Sequence, residues 1–466
     1  MTPSQTITAR HLALNVLNKF SIDRHDVRTL LHRMLSSTTE KALATDLVYG
    51  SVRNSQTLDM IIADAADLPL SRIRKEPLNI LRIGTYELIF TPHTPEYAAV
   101  NEAVKLTYAT AGNKQAAFTN AVLRNIVRAI ANRAAQLEDA NLRTTIPNSS
   151  TTGCRFHNAL LPHPKQNPAE YLSKAFSLPE WLIERWLSDF DFEQTRTICL
   201  ASNRRPAACI QPNTLKISPQ DLLERFTSAK IDARLVPNPP SGPMIRIQTP
   251  QQIMKLPGFK KGLFTIQDPA AAKVPKILDP KPGQTIIDLC AAPGTKTVLL
   301  AQLMQNEGTI IATDIDPRRL EMVDQNCQRL GVTIVKTIPY EKLTQTLKQI
   351  PKIHTVLLDV PCSNTAVLAR RPEVRLRLKP QILTSLTKTQ YQLLENAAKI
   401  IAPHRNAKIC YSTCSILKEE NSLLIRQFLS QNHDFELVLQ QLTLPIIESE
   451  TDFDHDGGFV AVLREK

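Results

Sequence analysis

The chain has 466 residues, of which 42% are hydrophobic and 21% are charged. It is too long for one ordinary hydrophobic core, so we expect two to four domains of the soluble, globular type. The formal net charge of +12 favours a polyanionic partner such as nucleic acid, because Lys and Arg side chains neutralise phosphates and release their counterions.

The eight cysteines are too few for a disulfide framework in a chain of this length. They form no Cys-x-x-Cys pair, and Cys410 and Cys414 lack a matching second pair, so we expect no metal site. The first eleven residues lack the apolar run of a signal peptide, and no segment reaches the ~18 apolar residues of a membrane span. We therefore predict a cytoplasmic protein with reduced thiols and no membrane association.

Residues 1–135 are predicted to form an all-α domain, because apolar residues recur at helical spacing, as in Ala13, Val16, Leu17 and Phe20. Residues 136–168 are polar and then Pro-containing, which predicts a linker. Residues 169–265 are predicted to be a small α+β domain, with a helix at 181–187 and strands at 208–212 and 244–247.

Residues 266–466 show the alternation of strands and helices that is typical of an open, doubly wound α/β sheet. The predicted strands cover residues 285–289, 309–313, 355–358, 407–411 and 459–463. The predicted helices begin near Thr295, Pro317, Thr384 and Lys418. This segment is therefore predicted to be a Rossmann-like domain.

The segment 285–297 has the pattern of a strand, a tight turn and a helix. The small residues Ala291, Ala292 and Gly294 would let a ligand approach the backbone, and the next helix offers free N–H groups to a carboxylate. The segment has neither the GxGxxG fingerprint nor the GxxxxGK phosphate loop, which disfavours a dinucleotide.

Asp314 ends the second predicted strand of this domain. An acidic residue there can accept hydrogen bonds from a ribose diol. Asp316, which is followed by Pro317, is the better candidate for the N-cap of the next helix. Asp314 is therefore left for the ligand.

Cys362 and Cys414 come just after predicted strands, where open α/β sheets bind their ligands. A thiolate that adds to carbon 6 of a pyrimidine makes carbon 5 nucleophilic, and a second group must then help to release the product. The two thiols and the cofactor loop predict methyl transfer from S-adenosylmethionine (SAM) to a pyrimidine carbon. We expect the other cysteines of the later domains to be small core residues: Cys199, Cys209, Cys290, Cys327 and Cys410.

The segments 288–296, 359–363 and 413–415 resemble motifs of the RsmB/Sun family of RNA cytosine-5 methyltransferases. Segments 49–53 and 118–124 are similar to a NusB-like RNA-binding domain, and segments 262–271 and 455–459 to the ends of the catalytic domain. The resemblance covers nearly the whole chain. It implies a multi-domain fold with an all-α NusB-like domain, a small α+β domain and a Rossmann-like SAM-dependent methyltransferase domain.

For individual residues, the resemblance implies that Cys414 is the nucleophile, that Cys362 assists release and that Asp359 hydrogen-bonds the cytosine edge. The implied SAM-binding residues are Cys290, Ala291, Ala292, Pro293, Gly294, Thr295, Lys296, Asp314 and Asp359. The implied partner is 16S rRNA or a pre-small-subunit particle, with 5-methylcytosine formed at position 967 by a monomeric enzyme.

Two further features concern the substrate and the cofactor. The family's Asp after the third strand of the domain is replaced here by the segment that contains Tyr340, whose ring is a candidate neighbour of the adenine of SAM. The Arg-rich segment 370–377 follows the Cys362 loop, and we expect it to contact substrate phosphates.

Three alternatives stay open at this point. A non-catalytic RNA-binding or ribosome-assembly factor could retain the same scaffold, although the intact cysteine pair disfavours it. The absence of GxGxxG argues against a nicotinamide-dependent oxidoreductase. The Thr-Cys site and the helical RNA-type domain argue against a DNA cytosine methyltransferase.

Overall fold

The computed structural model describes residues 7–22, 26–138, 141–236, 242–248, 252–447 and 453–466. The chain divides into two compact units. The first unit comprises Met1–Arg204 and Leu368–Leu378, and the second comprises Arg205–Val367 and Lys379–Lys466. Within the described ranges, no helix has both the length and the apolar character needed to cross a membrane.

The first unit begins with seven helices, which confirms the helical prediction as far as residue 129. They are α1 (Ala9–Lys19), α2 (Val27–Met34), α3 (Lys41–Arg53), α4 (Ser55–Ala66), α5 (Lys75–Phe90), α6 (Glu96–Ala111) and α7 (Asn113–Ala129). Short 3-10 helices cover Leu35–Ser37 and Leu70–Arg72. Helix α5 is central, because Ile80, Leu81 and Leu88 on it are buried and it packs against α1, α3, α4, α6 and α7.

A small antiparallel sheet and three more helices follow in the first unit. The strands are β1 (Ile130–Gln136), β2 (Thr145–Pro147) and β3 (Thr152–Phe156), in the order β1-β3-β2. The helices are α8 (Pro168–Phe176), α9 (Glu180–Asp189) and α10 (Phe192–Asn203).

The sheet corrects the sequence analysis, which expects helix up to residue 135 and a linker over 136–168. The polar run around Ser149 forms the turn between β2 and β3, since the Ser149 Oγ accepts a hydrogen bond from the Thr152 backbone N–H at 2.8 Å. Ser, Thr and Asn favour turns as well as linkers, because their side chains bond nearby backbone groups. Composition alone therefore does not separate the two structures.

The second unit opens with a four-stranded antiparallel sheet in the order β5-β6-β4-β7. Its elements are β4 (Ala208–Pro212), α11 (Pro219–Ser228), β5 (Ala233–Leu235), β6 (Ile245–Ile247) and β7 (Phe264–Ile266), with a 3-10 helix at Ile253–Lys255. Phe226 of α11 and Phe264 of β7 meet edge to face in its core. The predicted small α+β domain is confirmed, although the predicted helix at 181–187, which is α9, belongs to the first unit.

The rest of the chain forms the predicted α/β sheet. Its elements are α12 (Pro269–Leu278), β8 (Thr285–Asp288), α13 (Thr295–Leu303), β9 (Thr309–Ala312), α14 (Pro317–Leu330), β10 (Val335–Thr337), α15 (Leu343–Leu347), β11 (Thr355–Asp359), α16 (Val374–Arg377), α17 (Pro380–Ile401), β12 (Lys408–Thr413), α18 (Ser422–Gln431), β13 (Phe435–Thr443) and β14 (Gly458–Glu465). Short 3-10 helices cover Tyr340–Lys342 and Lys418–Glu420. Of these elements, α16 belongs to the first unit.

The seven strands lie in the order β10-β9-β8-β11-β12-β14-β13. The first five are parallel, and β14 runs antiparallel to both β12 and β13. Apolar side chains cover both faces of the central strands, as expected for a sheet buried between helices. The carboxyl ends of the parallel strands meet at one edge, so the residues that follow them share one side of the sheet.

Arg375 of α16 is an exception to the expectation that the Arg-rich segment 370–377 contacts RNA phosphates. Its side chain is 2% exposed. The guanidinium donates hydrogen bonds within the first unit, to the backbone oxygens of Arg53, Phe176 and Ser202 and to the side-chain oxygen of Asn203. Because its N–H groups are directed inward, Arg375 stabilises this unit and is not available to a phosphate. A run of charged residues in a sequence does not show which of its side chains are buried in the folded protein.

Candidate functional site

The two cysteines that follow β11 and β12 lie side by side. These strands are parallel neighbours, with Asp359 opposite Ser412. The chain brings the Cys362 Sγ to 3.1 Å from the Cys414 Sγ, and both thiols are free. The Cys414 backbone N–H donates to the Cys362 Sγ at 3.3 Å, and the Cys414 thiol donates to Asn364 Oδ1 at 3.1 Å.

The two thiols differ in environment. Cys362 is 8% exposed, and its hydrogen bond to the Cys414 sulfur, together with burial, raises its pKa well above that of an ordinary thiol. Cys362 therefore keeps its proton at neutral pH. Cys414 is less buried and lines a cavity. The Cys414 sulfur therefore faces the cavity, and the neighbouring Cys362 thiol carries a proton.

An ion pair lines the same cavity. The Lys296 Nζ lies 2.6 Å from Asp359 Oδ2, and the Ser412 hydroxyl donates to Asp359 Oδ1 at 2.9 Å. Burial alone would lower the pKa of Lys296, but the attraction of the Asp359 carboxylate outweighs it and raises that pKa. Lys296 is therefore a fixed cation near Cys414.

The predicted cofactor loop connects β8 to α13. Gly294, the last residue before α13, has φ = +95°, a conformation that glycine adopts without strain. A Cβ at this position would lie 3.1 Å from Val323 Cγ1 of α14, so the loop packs closely on that helix. The first N–H groups of α13 have no partner within the helix, which leaves them for an anionic group.

Two carboxylates hold this loop. Asp288 is buried and accepts a hydrogen bond from Thr297 Oγ1 at 2.8 Å, and burial raises its pKa to about 7. Asp314 accepts from the Ala292 backbone N–H at 3.3 Å and from the Asp316 N–H at 3.1 Å. The loop and the end of β9 are thereby joined.

Asp316 is the N-cap of α14, as predicted, because its side chain accepts from the Arg318 N–H at 2.9 Å. Asp314 remains at the end of β9, where one guanidinium N–H of Arg319 approaches it at 3.5 Å. Ile315, beside it, is 85% exposed. This corner of the sheet thus combines a carboxylate with an uncovered apolar side chain.

Three family models match the chain. They are 16S rRNA methyltransferase RsmB/F over residues 275–454, the NusB family over 7–128, and an RsmF/B-like ferredoxin-like domain over 178–254. A protein of Synechocystis named probable ribosomal RNA small subunit methyltransferase B is 30% identical, over 98% of this chain and 100% of that protein. The chain belongs to the RsmB family of rRNA methyltransferases.

Other comparisons agree with this family. A Bacillus subtilis protein with the same name is 26% identical, over 98% of this chain and 99% of that protein. The solved structure of a methyltransferase homologue from Pyrococcus horikoshii is 27% identical with a TM-score of 0.54, and covers 66% of this chain and 100% of its own. This RsmB-family chain is a SAM-dependent methyltransferase with a helical NusB domain, a ferredoxin-like domain and an α/β methyltransferase domain.

The site of this RsmB-family chain suits SAM in three respects. The loop 290–296 is made of small residues up to the start of α13, and the free N–H groups there suit a carboxylate. Asp314 provides acceptor oxygens for a ribose. Ile315 and Tyr340, exposed by 85% and 39%, offer apolar surface to a purine. When bound, SAM supplies an electrophilic methyl group.

Some residues at this site are absent from the sequence analysis. Lys273 of α12 lines the cavity, and its ammonium donates to Thr443 Oγ1 of β13 at 3.3 Å. Burial lowers the pKa of Lys273. Gln441 and Thr443 also line the cavity. Nothing in the sequence indicated that they belong there, because the strand that carries them, β13, was not predicted. Glu420 is fully buried beneath the cysteine loops. In the sequence it belongs to the run Glu419-Glu420-Asn421 near a predicted helix start, and such polar runs are usually exposed, so its burial could not be predicted.

Proposed function

We propose that this enzyme forms 5-methylcytosine in small-subunit rRNA, with Cys414 as the nucleophile. The observation that carries the proposal is the pair of sulfurs 3.1 Å apart, one of which opens into a cavity with the Lys296–Asp359 ion pair. The names of the relatives support small-subunit rRNA as the substrate, and the matching family model, 16S rRNA methyltransferase RsmB/F, supports 16S rRNA, alone or within a pre-small-subunit particle. The family resemblance implies the cytosine at position 967.

Carbon 5 of cytosine is a poor nucleophile on its own. The Cys414 thiolate adds to carbon 6, forms a carbon–sulfur bond and moves an electron pair toward carbon 5, which then accepts the methyl group. Carbon 5 afterwards carries both a methyl group and a proton. Transfer of that proton to solvent water restores the carbon 5–carbon 6 double bond and expels the Cys414 sulfur, which takes a proton from the Cys362 thiol; Cys362 then regains its proton from solvent.

Cys362 acts at the release step. Its raised pKa keeps the thiol protonated, and its sulfur is 3.1 Å from the sulfur that leaves. It is placed to give a proton to Cys414 as the carbon–sulfur bond breaks. In this proposal the less buried Cys414 and the buried Cys362 take the two roles that the resemblance implies.

Asp359 binds the cytosine edge in this proposal, and Lys296 orients the Asp359 carboxylate through their contact of 2.6 Å. On the cofactor side, residues 290–296 surround SAM, the start of α13 takes its carboxylate and Asp314 takes its ribose. A base inside an RNA helix cannot reach this cavity, so the target nucleotide must be unpaired or flipped out.

We also propose a monomer, since one chain supplies every residue assigned here, and domain segments of 1–135, 169–265 and 266–466. The sheet β1-β3-β2 replaces the predicted linker and extends the first compact unit. The family-model matches over 7–128 and 178–254 fall within the first two of these segments, and the match over 275–454 falls within the third.

The test is methyl transfer from labelled SAM to unmodified small-subunit rRNA. Wild type should label one cytosine at carbon 5, C414A should be inactive, and C362A should accumulate a protein–RNA adduct. C410A is the matched control, because Cys410 lies buried in β12 four positions before Cys414, and it should retain transfer. Undiminished methylation by C414A would dismiss the nucleophile assignment. RNA binding without SAM binding or transfer would indicate a non-catalytic assembly factor.

A further inference from the structure

We infer that Glu420 is a positioning residue that holds the two cysteine loops at a working distance through the serine that follows each cysteine. This inference rests on the proposed function and extends it. The residues concerned form a buried group, here called the serine–glutamate cluster: Ser363, Thr365, Gln390, Ser415 and Glu420.

The Glu420 carboxylate is fully buried and is bonded by neutral donors. The Ser363 backbone N–H donates to Oε1 at 2.8 Å, and the Gln390 amide donates to the same oxygen at 2.9 Å. The Ser363 hydroxyl donates to Oε2. Ser363 is thus held by both its backbone and its side chain, one residue after Cys362.

Hydroxyl groups carry this restraint to the second cysteine loop. The Ser363 Oγ lies 3.1 Å from the Ser415 Oγ, and the Thr365 Oγ1 lies 3.0 Å from the same oxygen. Ser415 directly follows Cys414. The two loops are therefore joined one residue beyond each sulfur, and the sulfur–sulfur distance depends on this joint.

The next residue, Asn421, holds the Cys414 loop directly. Its Oδ1 accepts from Thr413 Oγ1 at 2.7 Å, and its Nδ2 donates to the Ser415 backbone oxygen at 2.9 Å. Adjacent residues thus hold one loop each, with Glu420 on the Cys362 side and Asn421 on the Cys414 side. A displacement of either residue would change the alignment of the two thiols.

A structural role alone does not explain this choice of residue. A buried carboxylate bonded by neutral groups costs more solvation energy than an apolar side chain of similar size. Local departures from the most stable choice concentrate at functional sites. The geometry assigns Glu420 the task of orienting Cys362, and a misplacement of ~1 Å in such a group can slow a reaction about 100-fold.

The experiment compares E420Q and S363A with Y411F. Replacement of Glu420 by Gln turns one acceptor into a donor that faces Ser363 or Gln390, and S363A removes the hydroxyl joint. Y411F is the matched control. The buried Tyr411 hydroxyl donates to the backbone oxygen of Glu420 at 2.6 Å, so its removal affects the same residue but leaves the contacts of the Glu420 carboxylate intact.

The first readout needs no turnover. Diamide oxidises two neighbouring thiols to a disulfide and is itself reduced to the hydrazine, so the rate of Cys362–Cys414 cross-linking, followed by mass spectrometry, reports their alignment. We expect this rate to fall about 100-fold in E420Q and about tenfold in S363A, and to be unchanged in Y411F. Melting temperatures recorded in parallel show whether the variants are folded.

The second readout is the lifetime of the protein–RNA adduct in a single turnover, with C362A as the positive control. The adduct should persist in E420Q and S363A while their SAM affinity stays at the wild-type value. Equal cross-linking rates in E420Q, S363A and Y411F would overturn the inference. A wild type that forms no 5-methylcytosine would instead overturn the proposed function, and the diamide rates would still decide the role of Glu420.

Discussion

Lys296 Nζ lies 2.6 Å from Asp359 Oδ2, and this contact joins the helix after the cofactor loop to the strand that leads to Cys362. The Lys296 side chain is 15% exposed and the Asp359 side chain is 34% exposed, so the pair is partly shielded from water and salt. A substitution of either residue therefore affects the cofactor side and the thiol side of the site together.

Replacement of Lys296 by Met should slow methyl transfer about 100-fold, because Asp359 loses a charged hydrogen-bond partner worth roughly 1.5–3 kcal/mol. The pKa of Lys296 is higher in the folded protein than in the unfolded chain. The ion pair therefore stabilises the folded protein fully at pH values below the pKa of Lys296 in the unfolded chain. This stabilisation is lost only when the pH rises through the pKa of Lys296 in the folded protein. The defect should therefore be constant between about pH 6 and 9, as measured by single-turnover rates.

K281M is the matched control for that prediction. Lys281 Nζ is also 2.6 Å from a carboxylate, Asp279, but its side chain is 63% exposed. Exposed pairs contribute only ~0–1 kcal/mol, so K281M should transfer methyl groups at the wild-type rate. Equal rates for K296M and wild type would show that the ion pair has no part in the reaction.

Asp288 should make folding stability fall as pH rises from about 4 to 7. Burial raises its folded-state pKa to about 7 from 3.8, so over this range the folded protein holds a proton that the unfolded chain has lost. The full difference corresponds to roughly 4 kcal/mol. D288N, which resembles the neutral acid, should remove much of this slope and be more stable than wild type above pH 7.

The measurement for Asp288 is the free energy of unfolding in urea at a series of pH values. D279N serves as the control, because the Asp279 side chain is 72% exposed and should leave the profile unchanged. A D288N profile that is parallel to that of the wild type would contradict the assignment of the slope to Asp288.

Tyr340 should contribute to SAM affinity in place of the acidic residue that the family resemblance implies there. It follows β10 at the edge of the sheet that bears Asp314, and is 39% exposed. Stacking on an aromatic ring contributes about 0.5–1.5 kcal/mol, so Y340A should weaken SAM binding three- to tenfold by calorimetry. Y97A, on exposed α6 surface, should bind SAM normally, and an equal affinity for Y340A would exclude this contact.

Arg375 should matter for stability and not for RNA affinity. In R375M, the backbone oxygens of Arg53 and Ser202 and the side-chain oxygen of Asn203 lose a donor, while the Phe176 oxygen keeps the Asn203 amide at 2.9 Å. This loss should lower the free energy of unfolding by about 3 kcal/mol or more. The salt dependence of RNA binding, measured where the variant is folded, should be unchanged. If Arg375 did contact a phosphate, R375M would instead reduce the slope of log affinity against log salt concentration by about 0.9. R124M is the control for stability, since Arg124 is exposed on α7 and its side-chain hydrogen bond is to Asn120 on the same helix.

The sequence predicted the parts of the fold that local pattern encodes. The predicted strands at 285–289 and 309–313 match β8 (Thr285–Asp288) and β9 (Thr309–Ala312) to within one residue, because short apolar runs between turn residues are typical of buried parallel strands. Where the sequence pattern was weaker, the predicted helix starts differ from those in the structure. The helix expected near Thr384 begins at Pro380, and the one expected near Lys418 begins at Ser422, after a 3-10 turn.

The sequence did not predict β13 (Phe435–Thr443), which lies at the edge of the sheet with most of its residues exposed. An edge strand is not required to alternate apolar and polar residues when neither face is buried, so periodicity fails there. The strands β2 and β3 were missed for a related reason. Their polar turn has the composition of a linker, and only pairing across the sheet distinguishes the two.

By itself, the sequence determined which side chains stand at the ends of strands, because that depends on neighbours within about ten residues. Only the tertiary structure decided which of them meet. Cys362 and Cys414 are separated by 52 positions and Arg375 and Arg53 by 322, and contacts over such distances depend on strand order and packing. The same packing buries Arg375, keeps Cys362 protonated and places Glu420 beneath both cysteine loops, since each effect depends on burial among distant residues.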